Sequence, residues 1–95
     1  MRQTLASAIS QRRLIQFTYD GRPRIAEPHL LGIENGLLAI EAFQIGGGSS
    51  RGGLPQWRNF HVGDIRDLCV LEQTFHVRSD FNPQRSRWEQ ILARV

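Results

Sequence analysis

RIAEPHLLGIENGLLAIEAF, residues Arg24–Phe43, reads as two β-strands joined at Asn35-Gly36. Both turn residues tolerate the positive φ of a type I′ turn, and apolar runs flank them, which is the strongest short-range hairpin signal. A Glu27-Pro28-His29 step interrupts the first strand. Proline donates no ladder hydrogen bond, so this strand is expected at an edge, bulged or bent there. Leu37–Phe43 is almost continuously apolar, broken by Glu41, as a strand near the core would be.

Working upstream, residues 14–19 (LIQFTY) place Ile15, Phe17 and Tyr19 on one face and Gln16 and Thr18 on the other, a half-buried strand. Asp20-Gly21 is a second hairpin signal. A helix is predicted over residues 3–12, with Leu5 and Ile9 one turn apart, Thr4 as its N-cap and Arg12 and Arg13 at its C-terminal end. Downstream, IGGGSSRGGLPQ holds five glycines and two serines between Gly46 and Gly53. It predicts a loop longer than ordinary hairpin connections, either a surface insertion or a glycine-rich flap with Arg51 at its tip. It lacks the lysine of a phosphate-binding Walker loop. Trp57–Val62 and Asp67–Glu72 read as the fourth and fifth strands. Asn82 as N-cap, Pro83 as first helical residue, and Trp88, Ile91, Leu92 and Val95 at helical spacing predict an amphipathic helix over about 83–94.

These elements assemble into one domain spanning residues 1–95. The expected class is mainly β with flanking helices: a small, strongly bent, five-stranded antiparallel SH3-like or Sm-like barrel over about 13–73. A chain of 95 residues with 40% hydrophobic and 22% charged residues is a soluble globular domain with one core. No apolar run approaches the ~20 residues of a membrane span. Neither a signal peptide nor a second cysteine is present, so a cytoplasmic location is expected, with Cys69 as a small core residue.

All 12 basic residues are arginine, and against 9 acidic residues they leave a net charge of +3. Codon usage alone can produce this bias. Chemically, arginine's planar fork pairs with phosphate and carboxylate and stacks on rings. Tyr19, Arg24, His29 and Arg58 are the residues expected to converge on one site. Arg58 alternates with Phe60 and Val62, so a buried Phe60 turns Arg58 inward. An inward guanidinium needs either an internal carboxylate, for which Glu27 is the candidate, or an anionic ligand. Trp57 opens the fourth strand on the opposite face and is a candidate for base stacking; Trp88 fits a core position. His29, His61 and His76 lack metal-ligand spacing. Ser49 and Ser50 lie where no scaffold could hold a nucleophile. The sequence implies no enzyme, cofactor or metal.

The order of these features resembles the WYL domain family. The similar elements are LIQFTY, then RIAEPHLL, NGLLAIEAF and RNFHVGDIRDL, closed by Phe75, together covering about Leu5 to Phe81. Two departures stand out: Leu38-Ala39-Ile40 replaces the tripeptide that names the family, and Asp64 replaces its usual arginine. The resemblance implies an Sm-like barrel that senses ligands in bacterial transcription or defence-associated regulation, binding single-stranded nucleic acid or a nucleotide-type anion. With no helix-turn-helix alongside, it implies a stand-alone domain. The competing expectation is a protein–protein module, assembling into homo-oligomers or with another chain through a Pro28-interrupted edge strand and an exposed Trp57.

Overall fold

A computed structural model describes residues 1–48 and 53–95. The expected flap tip at Arg51, with Ser49 and Ser50, lies outside the described residues. Helix α1 (Arg2–Gln11) leads into β1 (Arg13–Tyr19), β2 (Arg22–Glu34), β3 (Leu37–Gly47) and β4 (Gln56–His61). A 3₁₀ turn at Val62–Asp64 connects to β5 (Arg66–Thr74). A second, at Pro83–Arg85, precedes β6 (Trp88–Arg94). The strands form one antiparallel sheet in the order β4-β3-β2-β1-β5, and β6 adds to β2 off this path.

Both predicted hairpins form. Asp20 and Gly21 have φ of 51° and 72°, and Asn35 and Gly36 have 52° and 75°, the positive pair that a type I′ turn requires. The Pro28 expectation resolves as a bulge in the middle of the sheet, not as an edge. Strand β2 pairs with β3 from Arg24↔Gly47 to Glu34↔Leu37. On its other side it pairs first with β1, as far as Ala26, and then with β6, from Leu30 onward. Pro28 falls in the gap between those two partners, where a missing N–H costs no ladder bond. The β2–β3 register slips between Pro28↔Ala42 and Leu30↔Glu41, which leaves His29 as the inserted residue.

The predicted C-terminal helix does not form. Asn82 and Pro83 do nucleate a turn, with the Asn82 side chain accepting from the Gln84 N–H at 3.0 Å, but it is one 3₁₀ turn long. The chain then runs extended as β6. The physical reason is that β1 leaves β2 at Ala26, so Leu30–Glu34 would otherwise present unpaired backbone groups beside the core. That demand outweighs the helical spacing of Trp88, Ile91, Leu92 and Val95, and Ile91 is left 43% exposed. Among the described residues the sheet therefore has six strands, with a single α-helix. Three smaller expectations also change. Met1, not Thr4, is the N-cap of α1. Gly46 and Gly47 belong to β3 instead of a loop. Cys69 is exposed on β5, not in the core.

The core lies between α1 and one face of the sheet. Leu5, Ala8 and Ile9 pack on Ile15, Phe17, Ala26, Leu31, Ile40, Ala42, Phe60, Val62 and Ile65. Arg12, in the left-handed region at φ 53°, ends the helix with its N–H on the carbonyls of Ala8 and Ile9.

Gly32 shows how closely β6 is fitted. A Cβ there would lie 2.5 Å from the Gln90 carbonyl oxygen and 2.9 Å from Trp88 Cε3. Gly32→Ala is therefore expected to lower stability by about 1–3 kcal/mol, the usual cost of overpacking, in urea unfolding. An unchanged midpoint would show that β6 does not seat against this position.

Candidate ligand-binding site

The sheet sorts the predicted site residues onto two faces. Tyr19, Arg24 and Arg58 come together on the core face, at the end of the sheet where β3 finishes. Arg24 is paired opposite Phe17 on β1, and this puts a guanidinium into the same layer as the core. It is 1% exposed. One terminal nitrogen donates to the Tyr19 carbonyl at 3.1 Å and the other to the Gln44 side-chain oxygen at 3.4 Å. Its Nε has no hydrogen-bond partner among the described residues. The guanidinium carbon stands 5.7 Å from the ring centres of both Tyr19 and Phe60, and that of Arg58 stands 5.5 Å from Phe60. Two cations thus share one aromatic ring. Burial, then the charges of Arg58 and Arg22, lower the Arg24 pKa, and Asp20 acts against them.

Two residues of this site were not singled out from the sequence. Gln44 is fully buried; its amide nitrogen donates to the carbonyls of Gly46 and Gly48 at 3.0 and 2.9 Å. It thereby links Arg24 to the stem of the glycine-rich stretch, where Gly48 N–H also donates to Pro23. Arg22 adds a third positive charge beside Arg24. Nothing local marks either residue, because Gln44 follows the apolar run and Arg22 opens β2 directly after the Asp20-Gly21 turn.

His29 and Trp57 lie on the other face. His29 is fully buried, and its Nε2 accepts the Arg78 N–H at 3.2 Å, so Nδ1 carries the proton and donates to the Glu27 carbonyl at 2.9 Å. Trp57, Phe75 and Phe81 surround the imidazole at 4.8–5.2 Å between ring centres. Trp57 donates its indole N–H to Asp80 at 3.1 Å and packs on Phe43. The Arg85 guanidinium lies 4.6 Å from the Trp57 ring centre, at a position a stacked base would take. Glu27 does not pair with Arg58. It accepts both arms of Arg78, at 2.8 and 3.0 Å, because it shares a face with Phe43 and Trp57 while Arg58 points through the sheet to the core.

Glu41, 1% exposed, is the second buried carboxylate on this face. Arg85 donates to it at 3.4 Å. Burial raises its pKa, against the pull of Arg85 and the Trp88 indole, and Glu34 raises it further. No three His, Cys, Asp or Glu side chains gather as metal ligands among the described residues. No helix among them is long and apolar enough to cross a membrane. No protein-family model, curated protein or solved structure matches this chain.

Two buried groups on this face make stability depend on pH in opposite directions. Burial lowers the His29 pKa, so the unfolded chain takes up that proton more readily and stability falls as pH drops through 6.5. The raised Glu41 holds its proton better when folded. Its contribution is complete below 4.5 and is lost as pH climbs through the higher folded value. Glu41→Gln removes only the second effect. Its stability relative to the native protein is expected to rise from pH 4.5 to neutrality in urea melts; a constant difference would exclude a titrating Glu41.

Proposed function

We propose that this chain is a non-catalytic, WYL-like binding module that takes single-stranded nucleic acid or a nucleotide-type anion at the Arg24–Arg58 end of its sheet. One observation carries the reading. Among the described residues, the Arg24 guanidinium is buried and its hydrogen bonds go to neutral acceptors, the Gln44 amide and the Tyr19 carbonyl; Asp20 acts on it from a distance, and a second arginine lies on the same ring. A buried charge without a hydrogen-bonded counter-charge is costly, and a bound anion lowers that cost. Arg24 is too deeply buried to touch a ligand. Arg58 and Tyr19, both half-buried, make the contact, and Arg24 with Arg22 supplies the field behind them. His29 and Trp57, on the far face, are left out of this site.

The strand order supports the barrel part of the proposal. The meander β1–β4, the 3₁₀ turn and a fifth strand on β1 are the order expected of an SH3-like barrel, in a sheet that is not closed between β4 and β5. A role in cytoplasmic regulation, in transcription or defence, follows from the WYL resemblance. Assembly through a Pro28 edge loses its footing, since β2 is paired on both sides and Trp57 is covered by Arg85.

The test is fluorescence anisotropy of a labelled single strand of mixed sequence across a salt series. Log affinity should fall linearly with log salt, by ~0.7 per phosphate contact. Arg58→Ala is expected to weaken binding about tenfold, the worth of one charged hydrogen bond, and to shrink the slope by one contact. Its urea midpoint should stay near that of the native protein. Equal affinity and slope in the variant, or an unfolded variant, would remove Arg58 from the site.

A further inference from the structure

The segment from His76 to Val95 differs from the rest of the molecule in how it is held. No side chain after Phe75 is fully buried. Leu92, Ala93 and Val95 reach the core only as partly buried neighbours. The last core anchor is Phe75, 7% exposed, whose N–H donates to the Arg12 carbonyl where α1 ends. His76 and Val77 are exposed and belong to neither helix nor strand. Beyond this hinge the chain is fastened by polar links, Arg78 to Glu27, Arg85 to Glu41, Trp57 to Asp80, Asn59 to Ser86 and Gly36 to Glu89, and by the Phe81 ring against His29 and Trp57. The β6–β2 ladder completes the attachment.

The surface beneath is built to receive arginine. Glu27 is paired opposite Phe43, and Glu41 is paired opposite Asn59, two residues along β4 from Trp57. Each guanidinium meets both parts of its socket: Arg78 stands 4.3 Å from the Phe43 ring centre while pairing with Glu27, and Arg85 stands 4.6 Å from that of Trp57 while donating to Glu41. The arm carries four arginines against Asp80 and Glu89, complementary in sign to its sockets. If it leaves, Leu30, Leu31 and the Leu30–Glu34 backbone are bared, and these need a strand with the same register. The arm of a second copy has that register and both arginines.

We propose that residues 76–95 exchange between two copies of this chain, each arm seating in the Glu27 and Glu41 sockets and along β2 of the other, to form a swapped homodimer. Closed and exchanged forms make the same contacts, so they differ only in the hinge at 76–77 and in the entropy of association. Their ratio is then set by chain concentration during folding. The inference is independent of the ligand site on the other face.

The experiment uses charge reversal in trans. Glu41→Arg and Arg85→Glu each place like charges together within one chain. In a swapped heterodimer, Arg at position 41 of one chain meets Glu at 85 of the other, and the native pair re-forms in the second socket. Refolding the two variants together is expected to give a 1:1 particle of twice the chain mass by native mass spectrometry, absent when either is refolded alone. A mixture containing only what each variant gives alone overturns the proposal. Should the reversed charges prevent folding, a disulfide trap decides independently. Ile33 and Gln90 are directly paired across β2 and β6, a spacing that suits a disulfide. The Ile33→Cys, Gln90→Cys, Cys69→Ser protein, refolded at rising concentration and then oxidised, is expected to show a growing covalent dimer on non-reducing gels. Monomer alone at every concentration overturns the exchange.

Discussion

Between Ala26 and Leu30 the β2 backbone changes partner on one side while keeping β3 on the other, and most of the molecule follows from that change. A 13-residue strand cannot stay straight and cover a core this small. Pro28 marks the place where one N–H is missing, and the inserted His29 supplies the extra residue that bends the strand. The bend directs the first half of β2 to β1 and leaves the second half in need of another neighbour. A buried strand edge without hydrogen-bond partners is costly, so the last residues of the chain become a strand. His29 pins the corner from both ends of its own residue: its carbonyl accepts the Val95 N–H at 3.0 Å and its ring accepts the Arg78 N–H.

The sheet also separates charge. On the core face the buried ion is a cation, Arg24, solvated by rings and amides. On the other face the buried ions are the anions Glu27 and Glu41, each met by an arginine from the C-terminal segment. The second arrangement is internally compensated and the first is not. That asymmetry separates the ion pairs that serve the fold from a buried cation whose hydrogen bonds, among the described residues, go to neutral acceptors. Guanidinium suits both roles, since its weak hydration and flat shape let it lie on a ring while its edges donate. Lysine, absent from this chain, could do neither as well.

What was legible in the sequence was local. Asn35-Gly36 and Asp20-Gly21 announce their turns because φ is decided within two residues. The Ile15, Phe17, Tyr19 alternation announces its face, and the Arg58–Phe60 alternation correctly turned Arg58 toward the core. Of the four residues expected to converge, Tyr19, Arg24, His29 and Arg58, the sheet brings Tyr19, Arg24 and Arg58 to one face. His29 was grouped with them because the bulge that carries it to the other face is a tertiary event. Glu27 is one of two partners the sequence offers Arg58, an anionic ligand being the other, but Glu27 pairs with Arg78, 51 residues away in a segment with no pattern of its own. The terminal strand was hidden by helical spacing, since four apolar residues at i, i+3, i+4 and i+7 do not record whether a neighbouring strand needs hydrogen bonds. Gln44 had no signal at all: a buried glutamine is recognisable only once the groups it joins are in place.

The turn at Asn35-Gly36 has a chemical consequence as well as a geometric one. Asparagine followed by glycine is the pairing most prone to deamidation, which begins when the glycine nitrogen attacks the asparagine side-chain carbonyl. Here the Gly36 N–H is held by the Glu89 carboxylate of β6 at 2.6 Å, so that nitrogen is engaged while the C-terminal strand is in place. The same turn also keeps both residues at positive φ, a conformation that the extra backbone carbon of isoaspartate would disrupt. The chemical lifetime of the hairpin is thereby tied to how long β6 stays on the sheet. Ageing of the chain would begin at the molecules whose last strand has come away.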